Sequence, residues 1–563
     1  MLKDTAGTAD PGSVLILTGG STSLAGHVPE GVQIWVRGDN YGGHTTVTVA
    51  DGTLNDGRIR MESADQGYTC NLALAGVLIN GPTGVIDSQV GTGGDRAVSG
   101  TLVNQGILAA TNFFITYYGT YEVAGGRALG AANVFNVAVR QTESPAVAST
   151  LRLVGSSTRL TDNLPNVELW VKGSNMGGAA TLNVAGGLVN RGIIRVESTD
   201  QGHVRQIYSE GTLQNASSAQ LRFAAGSGGT MAFTGRLLNA GVVTVDAGTS
   251  VGLVGPAFEN HSSGLVTGQG TYDVNFTLFR NSGVVSPAGG SLFFWGNVET
   301  GPLGVIGLDL AGPVPSVDHE QLFVTGILNL SGSLRVMLGP DYHPVAGTEF
   351  LLVSATTRST TLESIEHPGT STSMSALYDE TSVRLRINNG APIAVGDTIE
   401  RRYGVGIKVR PSRLLLNDLD PETDPLVVVS VGGQSAGGAS VVPEEGWIAY
   451  EPRPGAPVLD SFTYTVRDSA GAETVGTVML VEAGPDGRPG RSIAGVSVSG
   501  TEVVEVAGHG IPGRSYLIQA TASLSEPDWQ DVGTVLTGPD GTWGVTDDGA
   551  PSFNSRFYRA FER

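Results

Sequence analysis

Asn417, Asp418, Asp420 and Asp424 put three carboxylates and a carboxamide within one eight-residue run, Asn417-Asp418-Leu419-Asp420-Pro421-Glu422-Thr423-Asp424. A hard dication such as Ca2+ takes about six to eight oxygens, and a loop of this kind can wrap one. The competing reading is a solvated acidic turn in which Asn417 and Asp418 cap their own backbone. A second constellation is duplicated: Glu62-Ser63-Ala64-Asp65-Gln66-Gly67 and Glu197-Ser198-Thr199-Asp200-Gln201-Gly202. Two carboxylates can serve as acid and base in glycoside chemistry. An active site is single and assembled from unlike elements, so its repetition points to a structural corner, and catalysis is not expected. Trp35 and Trp170 are equivalent in the same duplication and are read either as a glycan-stacking pair or as packing residues of the repeat. The eight histidines are scattered without zinc spacing. Cys70 is the sole cysteine, which excludes an intrachain disulfide and a thiolate metal cluster, and it is read as a small buried residue.

The element that must carry these residues is a recurring phrase: an apolar pair, an asparagine, a short spacer, a glycine and a β-branched run. It recurs at Asn55, Asn80, Asn104, Asn190, Asn215, Asn239, Asn260 and Asn281, and within each series the steps lie between 21 and 25 residues. Such a period, with strand-forming residues on both sides of a turn, predicts a parallel β-solenoid (β-helix) whose coils bury their apolar faces on one another. Residues 34–67 match residues 169–202 at a constant offset of 135, so residues 1–290 read as a solenoid with a duplicated 135-residue cassette. Each asparagine is expected at a corner, bonding its counterparts above and below and tolerating a left-handed backbone, with the glycine completing the turn. Roughly twelve coils at about 4.8 Å each predict a stack on the order of 55 Å long.

The formal net charge of −20 disfavours nucleic acid and anionic membranes as partners and favours cations. No stretch of about 18 apolar residues is present, so no membrane span is expected, and the first residues do not read as a signal peptide. The 82 glycines mark turns.

Residues 291–388 contain Gln321-Leu322-Phe323-Val324-Thr325-Gly326, then Leu334-Arg335-Val336-Met337-Leu338, then Pro344, Gly347 and Phe350, with Asp318 or Glu320 at an acidic position. This resembles the closing module of autotransporter-like secreted β-helix proteins and implies a cap on the solenoid. Residues 389–483 carry Pro392-Ile393-Ala394-Val395-Gly396-Asp397, then the acidic run, then Asp460-Ser461-Phe462-Thr463-Tyr464-Thr465-Val466-Arg467-Asp468. These phrases resemble the cadherin-like, Ig-like tandem modules of large bacterial adhesins. The resemblance implies a β-sandwich in which Asp397 and Asp468 approach the acidic loop from strand ends, giving a Ca2+ ligand set of Asp397, Asn417, Asp418, Asp420, Asp424 and Asp468. Glu422-Thr423 replaces a glycine usual in that family. Residues 484–494 read as a linker. Residues 495–563, with Gly513-Arg514-Ser515-Tyr516-Leu517-Ile518-Gln519-Ala520 and Trp529, resemble a C-terminal β-sandwich of secreted bacterial repeat proteins.

The expectation is therefore an all-β chain: a parallel β-solenoid followed by two Ig-like or cadherin-like β-sandwich modules. Its expected role is non-catalytic, as an extracellular or cell-surface structural or adhesion protein. Its expected partners are cell-surface glycans or proteins, or further copies of itself. The rival readings are a polysaccharide-active lyase or hydrolase and a carbohydrate-binding protein.

Overall fold

The computed structural model describes residues 2–4, 12–65, 67–89, 91, 94–135, 138–156, 160–175, 178–199, 202–368, 372–402, 406–453, 457, 459–483, 492–499, 503–509, 513–538, 542–552 and 555–562. Of the expected linker 484–494, only residues 492–494 fall within this set. The described residues are almost wholly β, with one short helix at Pro411–Leu414. They fall into two compact units. The first comprises Met1–Tyr342, Glu349–Thr370 and Met374–Arg386; the second comprises His343–Thr348, Ser371–Ser373 and Ile387–Arg563.

In the first unit, strands such as Val167–Gly173 alternate buried and outward residues and pair in parallel with a strand one sequence period later. The register is strict. Leu169 lies beside Ile194, then Leu221, Val243, Val266, Val285, Ile306 and Leu334 in succession, each at most 1% exposed. A period of two residues per pleat explains the persistence of this column, because a one-residue slip would turn every buried side chain outward. Each such burial contributes about 1.5–3 kcal/mol. Toward the end of the unit the interior becomes aromatic, with Phe279 stacked on Phe294 at 4.7 Å and Phe258 tilted against Phe279 at 4.8 Å.

The repeated asparagines form a second column, fully interior. Asn55 Nδ2 donates to Asn80 Oδ1 (2.7 Å) and Asn80 to Asn104 (2.8 Å). The second series runs Asn190 to Asn215, Asn239, Asn260 and Asn281 at 2.7–2.8 Å per step. None of the eight has positive φ, so the left-handed corner expected from the sequence is not formed. The asparagines end strands in ordinary backbone, and it is the amide ladder that keeps them. The following glycine is required for a different reason: a Cβ at Gly241 would stand 2.2 Å from Ala216 O, and one at Gly283 would stand 2.1 Å from His261 O. The carbonyls of the preceding sequence repeat leave no room for a side chain. The ladder also includes two residues outside the recurring phrase. Asn163 donates to Asn190 (2.7 Å) and accepts from Gln141 Nε2 (3.0 Å).

Outside the asparagines, ion pairs step along the stack. Glu259 meets Arg236 at 2.9 Å and Arg280 at 4.0 Å, and Arg280 meets Glu299 at 3.5 Å. The parallel succession ends where Glu349–Ser359 pairs in parallel with Gln321–Asn329 and antiparallel with Ser382–Ile387, so both edges of that strand are covered. Glu320 is 3% exposed and accepts the N–H groups of Gly289 (2.6 Å) and Asp309 (3.1 Å), tying this end together. Cys70 is buried and free, and burial pushes its thiol up to about 12, which leaves it unreactive.

In the second unit, a four-stranded sheet (Asp397–Arg402, Glu473–Ala483, Asp460–Arg467, Val427–Val431) and a three-stranded sheet (Ile407–Val409, Trp447–Glu451, Ser440–Glu444) share one core. That core holds Leu414, Val441, Ile448, Tyr450, Phe462, Tyr464, Val466 and Val478. Residues 492–562 form two further three-stranded sheets around Val506, Tyr516, Ile518 and Trp543.

Candidate metal centre

The six residues expected to surround one cation separate into two groups. Asp418, 8% exposed, accepts the Val395 N–H (2.8 Å) and the Tyr464 hydroxyl, which lies 3.0 Å from both carboxylate oxygens. Asn417 Nδ2 donates to Val395 O (3.1 Å). These two side chains clip the 395–396 segment onto the sheet. Asp397 faces the same tyrosine. Burial, reinforced by the Asp418 charge, pushes its carboxyl up to about 6, while Tyr464 and Arg413 oppose the shift.

The second group is built on the turn after the helix. Asp420 Oδ1 accepts the N–H groups of Glu422 (2.9 Å) and Asp424 (3.0 Å), and Thr423 between them adopts φ 64°. This aspartate-organised turn folds Glu422 inward to 1% exposure, where one carboxylate oxygen accepts the Gly390 N–H (3.0 Å). Burial raises the Glu422 pKa, and Asp420, Asp424 and Asp468 raise it further. Asp468, 3% exposed at the end of Asp460–Arg467, accepts Gly471 N–H, Ala472 N–H and the Asn389 amide at 2.5, 2.9 and 3.0 Å. Asp420 Oδ2, Glu422 Oε1 and Asp424 Oδ2 are buried with no hydrogen-bond partner among the described residues. Three orphaned carboxylate oxygens carry a desolvation penalty that a bound cation would offset. As the side chains stand, no three His, Cys, Asp or Glu groups among the described residues converge closely enough to hold a metal. Glu422 was absent from the expected set because it occupies a position read as a lost glycine. Its signal in the sequence was a fourth acid inside the Asn417–Asp424 run.

Trp35 and Trp170 lie on strands that pair in the same way, Trp35 with Arg60 and Trp170 with Arg195. Arg60 and Arg37 sit 4.4 and 5.2 Å from the Trp35 centroid, and Arg195, Arg152 and Lys172 sit 4.6–5.1 Å from that of Trp170. Cations therefore occupy the ring surroundings a sugar would use. The duplicated Glu62 and Glu197 pair with Arg60 (2.6 Å) and Arg195.

Asp397 gives a pH prediction. Its folded pKa lies above the unfolded value of about 3.9, so its contribution to stability is full below that value and is lost as pH rises through about 6. Asp397→Asn is therefore expected to stabilise the module at pH 8 in chelator by roughly 1–2 kcal/mol after solvent screening, with a matching rise in its melting midpoint, and to change nothing at pH 3. Calorimetric scans of both proteins at the two pH values check this.

Two facing sheets around one core, with a parallel Asp397–Arg402 strand on the Glu473–Ala483 edge, make residues 389–483 an immunoglobulin-like module. Residues 389–481 match the family model of the bacterial Ig domain, a module of surface or adhesion-type structural proteins. No curated protein matches the chain. No helix among the described residues is long and apolar enough to cross a membrane.

Proposed function

We propose that this chain is a non-catalytic structural or adhesion protein of the bacterial surface or extracellular space, with a parallel β-solenoid followed by a cadherin-like module that takes Ca2+. The observation that carries the Ca2+ reading is the trio of orphaned buried oxygens on Asp420, Glu422 and Asp424, facing Asp468. Asp420, Glu422, Asp424 and Asp468 would hold the ion. Asn417 and Asp418 are engaged in the clip to residues 395–396 and Tyr464. The solenoid reading rests on parallel registers that repeat at each period and on the continuous asparagine ladder. Such backbone ladders resist extension, and Ca2+ would stiffen the Ig-like module. Glu62 and Glu197 support the structural reading, since each is paired with an arginine of its own repeat. The surface location is supported by the bacterial Ig match.

Thermal unfolding of the full chain in 1–10 mM Ca2+ and in chelator tests the reading. Ligand that binds only the folded state stabilises it by mass action, about 2.7 kcal/mol at a hundredfold excess over Kd. The Ig-module transition is expected to rise by several degrees in Ca2+, and Asp424→Asn is expected to abolish the rise. An unchanged midpoint in wild type would reject the Ca2+ reading.

A further inference from the structure

The geometry points to a glycan-binding strip on the outward face of strands Thr271–Phe276, Ser291–Trp295, Gln321–Asn329 and Glu349–Ser359, whose ligand is an extended neutral β-1,4-linked pyranose chain lying across the strands. The strip rests on the reading of the first unit as stacked parallel coils and gives that surface protein a partner. The inward residues of these strands, Leu292, Phe294, Leu322 and Val324, already complete the core. The outward aromatics are therefore surplus to packing.

Two in-register rows make the strip. In the first, Phe293 lies beside Phe323, their rings 5.0 Å apart and within 12° of parallel. In the second, Asp273 lies beside Trp295, whose side chain is 44% exposed. Unlike Trp35 and Trp170, Trp295 has no cation over its ring among the described residues. Asn275 Nδ2 donates to Asp273 Oδ1 (2.8 Å), fixing a carboxylate and a carboxamide side by side at the end of the tryptophan row. Phe276, 74% exposed, follows directly. The exposed Trp295 ring, with Phe276 beyond it, stands beside fixed hydroxyl-bonding groups and so matches the two faces of a pyranose, C–H and O–H.

Charge and size select the occupant. Asp273 is the only charged side chain on either row, which excludes recognition of a polyanion, as does the net charge of −20. A protein partner would need about 800 Å² with few charges at its centre. This strip is two side chains wide, too narrow for such a patch. A flat β-1,4 chain advances per sugar by about the strand spacing of roughly 4.8 Å, so it can repeat its contact from strand to strand. An α-1,4 chain curls away from a flat face.

The test is isothermal titration of the full chain with cellohexaose, xylohexaose and mannohexaose, with maltohexaose and polygalacturonate beside them, all in chelator. At least one β-1,4 hexaose is expected to bind, at least about tenfold more weakly to Trp295→Ala, and weakened also by Asp273→Ala. Trp35→Ala and Trp170→Ala are expected to leave it unchanged. The inference is overturned if no β-1,4 hexaose binds, if binding survives Trp295→Ala, if maltohexaose or polygalacturonate binds equally, or if Trp295→Ala instead removes a concentration-dependent dimer seen by light scattering. Because chelator is present throughout, glycan binding and the Ca2+ response succeed or fail separately.

Discussion

Asn215→Ala is expected to destabilise the first unit by about 3–4 kcal/mol. Asn215 is 1% exposed in the middle of the ladder. It accepts from Asn190 (2.8 Å) and donates to Asn239 (2.8 Å) and to Val242 O (3.1 Å). Each of these bonds contributes about 1 kcal/mol net, and truncation adds an unfilled space. The groups left behind are not all orphaned, since Asn190 Nδ2 also donates to Gln220 O (3.1 Å) and Asn239 Oδ1 also accepts Gly241 N–H (3.2 Å). That is why the loss stops short of the full desolvation penalty. Asn281→Ala is expected to lose roughly half as much, because the ladder ends there and its amide reaches only Val305 O at 3.4 Å. Urea unfolding followed at the first unit's transition measures both. Equal losses below about 1 kcal/mol would reject the amide ladder as a stabilising element.

The second large effect falls in the Ig-like core. Asp460, 5% exposed, accepts from Ser435 Oγ (2.5 Å), Gly437 N–H (2.6 Å), Tyr450 OH (2.7 Å) and Ser461 N–H (2.8 Å). Burial alone would raise its pKa, but these four donors outweigh it and hold the carboxyl below its ordinary value. Asp460→Ala leaves Tyr450 and Ser435 without their acceptor and is expected to cost about 3–5 kcal/mol. The linkage runs opposite to that of Asp397. A depressed folded pKa contributes stability above the unfolded value of about 3.9 and loses it as pH falls through the folded one. Wild type is therefore expected to lose stability below about pH 4 through this residue, and Asp460→Asn to flatten that acid limb. Acid titration of the melting midpoint checks it.

How far the sequence carried these conclusions follows from the range of the interactions. The asparagine column was legible because the same local phrase recurs at each period, and the 135-residue offset was legible because Trp35, Arg60 and Glu62 recur as Trp170, Arg195 and Glu197. Asn163 and Gln141 escaped because no glycine follows them in phase; their place in the ladder depends on residues 20 to 30 positions away. The acidic run was visible as a run, but its division was not. Whether an aspartate faces Tyr464 or a cation is decided by a strand some 45 residues later. Trp295 gave no signal either, since exposure of an aromatic residue on a two-residue alternation is read only once the inward face is known.

The central claim is that Ca2+ closes the turn formed by Asp420, Glu422, Asp424 and Asp468. Hydrogen–deuterium exchange of the full chain with and without Ca2+ tests it most directly, read at the amides of Glu422, Asp424, Gly471 and Ala472 that the carboxylates of Asp420 and Asp468 already hold. The account predicts slower exchange at these amides in Ca2+, lost in Glu422→Gln, with the Asn417–Asp418 clip unaffected. Identical exchange in both conditions would contradict it and leave the acidic run as a turn held by its own backbone bonds.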